Sequence, residues 1–141
     1  ALAIYREMEP QHPWMACVLH SELGVAHALT GDGAAAIARF EQAVAATTPA
    51  AMAALQERSR QLLGPSYWAF WSTVDTLPVR QCQNHAWLAG LRARGGDLQA
   101  ARQHLGAAVA YLRGQEMGPA REVLRKEFVN RMEQMFPELA A

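Results

Sequence analysis

Two stretches of the chain repeat one another, and that repetition restricts the fold more than any single residue does. The first reads CVLHSELGVAHALTGDGAAAIARFEQAVA from Cys17, and the second reads CQNHAWLAGLRARGGDLQAARQHLGAAVA from Cys82. Laid over each other they match at Cys17/Cys82, His20/His85, Leu23/Leu88, Gly31/Gly96, Asp32/Asp97, Ala35/Ala100, Ala36/Ala101 and Ala43/Ala108, with Arg39/Arg102 matching after a two-residue slip. A unit of this size cannot bury its apolar face alone and must stack on a neighbour. Repeat architectures work chiefly by presenting surface, so a catalytic centre is not the first expectation.

The 141 residues suffice for one domain, 1–141. Apolar residues make up 51% of the chain, and alanine and leucine dominate them at the expense of valine and isoleucine. That is helix composition. Lys and Arg total 13, Asp and Glu total 13, and the two signs are interspersed. Such balance gives no electrostatic reason to expect a nucleic-acid or membrane partner. No apolar run reaches the roughly 18 to 20 residues of a membrane span, and no signal-peptide pattern opens the chain. The two cysteines, Cys17 and Cys82, fall at equivalent repeat positions. With another unit expected between the copies, their Cα atoms should lie beyond the roughly 7 Å limit of a disulfide. Free thiols in a reducing, cytoplasmic compartment are expected.

Glycine, proline and Asp caps divide the sequence into helices. Pro13 suits the first turn of a helix running to about Leu29. Thr30-Gly31 closes it, and Asp32 caps a second helix to about Ala46, with Ile37, Phe40, Ala43 and Val44 on the face toward Leu19 and Leu23. Thr48-Pro49 opens AMAALQERSRQLL, which Gly64-Pro65 ends. SYWAFWSTVDTL reads as a shorter helix, so 49–77 is expected to be a degenerate helix pair standing between the copies. Pro78 leads into the second copy, 79–113, whose turn is Gly95-Gly96-Asp97. GQEMGP reads as a loop, and 118–136 as a terminal helix with Val123, Leu124, Phe128, Met132 and Met135 on its inner stripe, covering the open end of the stack. The opening segment ALAIYREMEP, 1–9 in its helical part, resembles the closing helix of a preceding repeat, so a segment of a longer protein is expected.

These features resemble the tetratricopeptide repeat. The family's small residue in the opening helix corresponds to Gly24 and Ala89, preceded by Leu23 and Leu88. Its small residues in the closing helix correspond to Ala36 with Ala43 and to Ala101 with Ala108, and its large apolar residue between them to Phe40 and Leu105. The stretch from ALAI through the His12-Pro13 pair to Ala45 is similar to the kinesin-light-chain variety. His27 and Arg92 depart from the family's usual tyrosine, and the proline expected after the closing helix is displaced to Pro49 in one copy and absent from the other. The resemblance implies an all-α fold, a right-handed α-solenoid of antiparallel helix pairs with a C-terminal capping helix. It further implies a protein-interaction module within a larger bacterial signalling or regulatory protein, with a self-association module or a ligand- or peptide-sensing domain of a transcriptional regulator or kinase as the alternatives.

In such arrays the opening helices line a concave groove. Val18, Glu22, Val25 and Leu29 would face it from the first copy, and Gln83, Trp87, Gly90 and Arg94 from the second. The lysines and asparagines with which some relatives clamp a C-terminal carboxylate are not at these positions. A protein or peptide partner is therefore expected in the groove, with neither nucleic acid nor membrane as an alternative. The aromatic segment Tyr67, Trp68, Phe70 and Trp71 cannot turn all its rings to one side of a helix. It either fills space in the degenerate pair or forms an interface, including one for self-association.

Cys17-x-x-His20 and Cys82-x-x-His85 have zinc-ligand spacing, but one metal would need both pairs together. His20 and His27 lie seven apart on one helix face, an arrangement that would suit an acid–base site only if a carboxylate joined them, and packing in the groove or core is the commoner use of such histidines. Gly31-Asp32-Gly33 and Gly95-Gly96-Asp97 are turns and not phosphate cradles. No metal, no cofactor and no enzymatic activity is expected.

Overall fold

A computed structural model describes residues 13–63, 77–113 and 120–139. Six helices make up most of these: α1 Pro13–Leu29, α2 Gly33–Ala46, α3 Pro49–Leu63, α4 Leu77–Arg94, α5 Leu98–Arg113 and α6 Ala120–Met135, followed by a 3-10 turn, Pro137–Leu139. The described residues are all-helical apart from their connections. The segment 1–9, the partner helix expected within 49–77 and the rings of Tyr67, Trp68, Phe70 and Trp71 lie outside them.

The two sequence copies fold as two helical hairpins, α1–α2 and α4–α5. Each turn uses the same chemistry. Gly31 and Gly96 adopt φ of +83° and +85°, a backbone region that costs glycine nothing. The Asp32 carboxylate then accepts the Ala35 amide at 3.0 Å, and the Asp97 carboxylate accepts the Ala100 amide at 3.1 Å. Each aspartate thereby satisfies a helix N-terminal donor that has no partner within its own helix. Thr48 caps α3 in the same manner through Ala51, with Pro49 at the first helical position.

Close approach within the hairpins depends on the repeated small residues. Ala36, Ala43, Ala89, Ala101 and Ala108 are fully buried. A Cβ on Gly24 would stand 2.8 Å from the Phe40 ring, so the glycine makes the space that the aromatic occupies. In the second copy the opening position enlarges to Ala89 and the filling residue shrinks to Leu105. The pair thus conserves volume across the repeat.

One organisational expectation is corrected. α2 packs directly against α4, so no unit stands between the two copies. Leu88, Trp87 and Leu91 of α4 join Ala36, Phe40, Ile37, Val44 and Val25 of the first hairpin in one apolar cluster. The helix α3 sits to the side, where Met52 meets Cys17 and Leu77 with Ala46 and Tyr111 around them. Apolar area on the exposed side of α2 must be covered, and Trp87, Leu88 and Leu91 of α4 cover it.

The chain's end closes the other side of the second hairpin. Met132, Phe136 and Leu139 form a cluster with Ala89, Ala93 and Ala101, flanked by Ala86, Leu98, Leu105 and Phe128. Val123, expected on the inner stripe of α6, is 66% exposed instead. The burial has moved toward the C-terminus, onto Phe136 and Leu139 in and beside the 3-10 turn, because those residues reach α4 and α5. The side chains of Leu124 and Met135 lie outside the described set. No described helix is long and apolar enough to cross a membrane.

Candidate functional site

The residues expected to line a groove divide into two groups. Val25 and Trp87 serve the packing between hairpins: Trp87 stacks on Phe40 with ring centroids 5.6 Å apart and planes within 10°. Gly90 is covered by Phe136, whose ring would lie 2.1 Å from a Cβ at that position. Glu22 accepts a 2.7 Å hydrogen bond from Arg80, Leu29 is 77% exposed, Val18 is half-buried, and Gln83 and Arg94 face solvent. Arg94 also holds its guanidinium 5.0 Å from the centre of the Phe136 ring, a cation–π contact. The reason for this division is the direct packing of the copies, which turns the second opening helix into the lid of the first hairpin.

Among the described residues, one open depression of about 460 Å³ lies between the two glycine turns, beside Ile37, Leu91 and Arg94, and another, of about 190 Å³, is lined by Gln83, Ala86, Trp87, Met132 and Phe136. The walls of the smaller one are almost wholly apolar, and Gln83 supplies a polar group at the rim. It joins two elements far apart in sequence, the middle of α4 and the end of α6. The space suits one bulky apolar side chain.

α4 also carries two polar clusters, and sequence reasoning found only part of either. Gln81 is fully buried. Its amide donates to the Ala43 carbonyl at 3.2 Å, the Thr47 carbonyl at 3.1 Å and the Thr47 hydroxyl at 2.8 Å. Its carbonyl oxygen accepts from Asn84 at 3.0 Å, and the same Asn84 nitrogen lies 3.7 Å from the Cys17 sulfur. A side chain from the second copy thereby satisfies the open carbonyls at the end of α2. The contact between Asn84 and Cys17 also brings the first cysteine against the second hairpin, closer than an intervening unit would allow. Both thiols are free and buried. Burial pushes the Cys17 thiol up, against the opposing hydrogen bonds of Ser21, Thr47 and Asn84, and pushes Cys82 up to about 11. Neither is an activated nucleophile.

The second cluster holds the repeat's histidines. His85 Nδ1 lies 3.1 Å from His104 Nδ1, and Tyr111 stacks on His85 at 5.7 Å between centroids. In the first hairpin the same two positions are His20 and Arg39, with His20 Nδ1 3.5 Å from an Arg39 nitrogen. The structural equivalent of Arg39 is therefore His104, without a slip, and not Arg102. Burial and the neighbouring His104 push His85 down to about 4. Burial, reinforced by Arg92 and opposed by Glu41 and Asp97, lowers His104. Both rings are neutral near pH 7, so one Nδ1–H donates to the other Nδ1. Their centroids are 5.3 Å apart, which points the two nitrogens at each other rather than toward a shared third atom. Among the described residues no group of three or more His, Cys, Asp or Glu could hold a metal ion.

Comparison with protein-family models, with curated proteins and with solved structures finds no match.

Proposed function

We propose that the chain is a right-handed α-solenoid segment of tetratricopeptide type, a non-enzymatic protein-interaction module that holds a peptide or a partner protein. The observation that carries this reading is the open apolar depression between Trp87, Met132 and Phe136, with Gln83 at its rim. An apolar side chain of the partner would fill the depression, and the Gln83 amide would hydrogen-bond the partner's backbone. Rigid aromatic walls raise the return on one buried anchor because little side-chain freedom is lost on binding. The internal repeat, its glycine–aspartate turns and its small-residue packing support the architecture. Balanced charge favours a partner recognised by shape, and the two buried free thiols suit a reducing, cytoplasmic setting. The parent would be a larger bacterial signalling or regulatory protein.

The test is selection from a displayed peptide library against the intact chain, followed by affinity measurement on Gln83→Trp. This variant fills the depression from its exposed rim without touching the core. Selected peptides should share an apolar anchor and lose at least about tenfold in affinity for the variant, the equivalent of 1.4 kcal/mol. Undiminished binding to Gln83→Trp would remove the depression from the mechanism. Self-association is the second reading, favoured by the exposed Leu29 and Val123 side chains; a mass that rises with protein concentration in solution would select it.

A further inference from the structure

The His85–His104 pair has a property that neither ring has alone. In the neutral state the two Nδ1 atoms share one proton across 3.1 Å. His104 is half-buried and His85 is buried, so solvent reaches His104 first. A proton taken up at His104 Nε2 leaves its Nδ1–H free to donate to His85 Nδ1, and the bond survives with one charge. A second proton can only go to His85 Nδ1. Two N–H groups and two charges then face one another, and the bond is lost.

The consequence extends beyond the pair through Tyr111. This ring stacks on His85 and also packs against the cluster of Cys17, Met52 and Leu77. It brings α5 onto the cluster where α1, α3 and α4 meet. We propose that the His85–His104 hydrogen bond is an acid-operated latch, whose double protonation parts α5 from α4 at this level, withdraws Tyr111 and uncovers the Cys17 thiol.

The surroundings set how readily the pair takes up charge. Arg92 of α4 adds positive potential at His104. Glu41 of α2 opposes it but is already paired with Arg92, and Asp97 acts on His104 from the turn. On the Tyr111 side, among the described residues, Cys17 of α1 is the titratable group that acts on the ring, its own ionisation suppressed by burial, and α3 presents the apolar Met52. The first hairpin lacks the device, because Arg39 stands where His104 does and cannot change its charge.

The experiment measures modification of Cys17 in the full chain carrying Cys82→Ser, using dithiodipyridine, which still reacts with thiols in acid. Rates between about pH 7 and about pH 4 are divided by those of a small-molecule thiol, and helix content is followed in parallel. The expected result is a normalised rate that rises about tenfold or more on acidification while helix content is retained, since labelling tracks the open population. His104→Arg, which copies the pairing of the first hairpin, and His85→Gln should each keep the rate within about twofold of its neutral value. A flat profile in the parent overturns the latch. So does an equal rise in both variants, or a rise that only accompanies loss of helix.

Discussion

At the scale of single residues, the least expected contributor is Gln81. In the sequence it is one polar residue in the first turns of a helix, where a solvated side chain is the ordinary outcome. Its burial follows from where α2 ends. The chain leaves that helix at Thr47 in extended conformation, which strands the last carbonyls inside the protein, and only a donor from another element can satisfy them. Replacing Gln81 with leucine keeps the volume and removes the donor, so several acceptors and the Asn84 amide lose their partner. Gln81→Leu should cost about 2–3 kcal/mol in urea unfolding, the range expected when buried polar groups are orphaned. A change below about 0.5 kcal/mol would show that the network is replaceable. His85 makes a second residue-scale claim. Its imidazole titrates near 6.5 in an unfolded chain and at about 4 in the fold. Between those values the unfolded state binds more protons, so stability falls as pH falls. The contribution is complete above about pH 6.5 and gone below about pH 4, a loss of about 3 kcal/mol at 1.36 kcal/mol per unit. Urea midpoints across that window should therefore slope downward, and His85→Gln should flatten the slope.

At the scale of elements, the sequence was legible where local chemistry decides. The boundaries of α1, α2 and α3 follow from Pro13, Asp32 and Thr48-Pro49, each of which acts within a turn of its own position. The small positions Gly24, Ala36 and Ala43 were legible for the same reason, since the repeat states them twice. The seat of the chain's end was not. Phe136 stands just past α6 and before Pro137, where periodicity stops, and nothing local marks it as a core residue. Its partner Gly90 gave a faint signal, a small residue between Ala89 and Leu91 that a groove reading assigned to solvent. The equivalence of Arg39 with His104 was hidden because the residue types differ although the position is shared. The element-scale prediction concerns that seat. Phe136→Ala removes a buried ring from the Gly90 cradle and should cost about 3–4 kcal/mol by denaturant unfolding. An effect under about 1 kcal/mol would mean that α6 and its turn contribute little to holding the second hairpin together.

At the scale of the molecule, α4 decides how the parts behave together. It contacts α1, α2, α3, α5, α6 and the 3-10 turn, while no other described helix touches them all. Its Trp87 and Leu88 complete the core of the first hairpin, and its Ala89 and Ala93 complete the cluster of the second. Arg80 and Arg92 tie it outward to Glu22 of α1 and Glu41 of α2. Exposed ion pairs of this kind add little energy individually, so the coupling rests on shared apolar burial and on the Gln81 network. Neither hairpin retains its full core once α4 leaves, and the chain should therefore unfold as one cooperative unit. The decisive observation follows a lesion across the molecule. Phe136 lies against the second hairpin, and Cys17 is buried in the first. If α4 couples them, Phe136→Ala should move the urea midpoint of Cys17 exposure by as much as it moves the midpoint of helix loss. Independent hairpins would instead leave Cys17 protected at urea concentrations where the second hairpin has already melted.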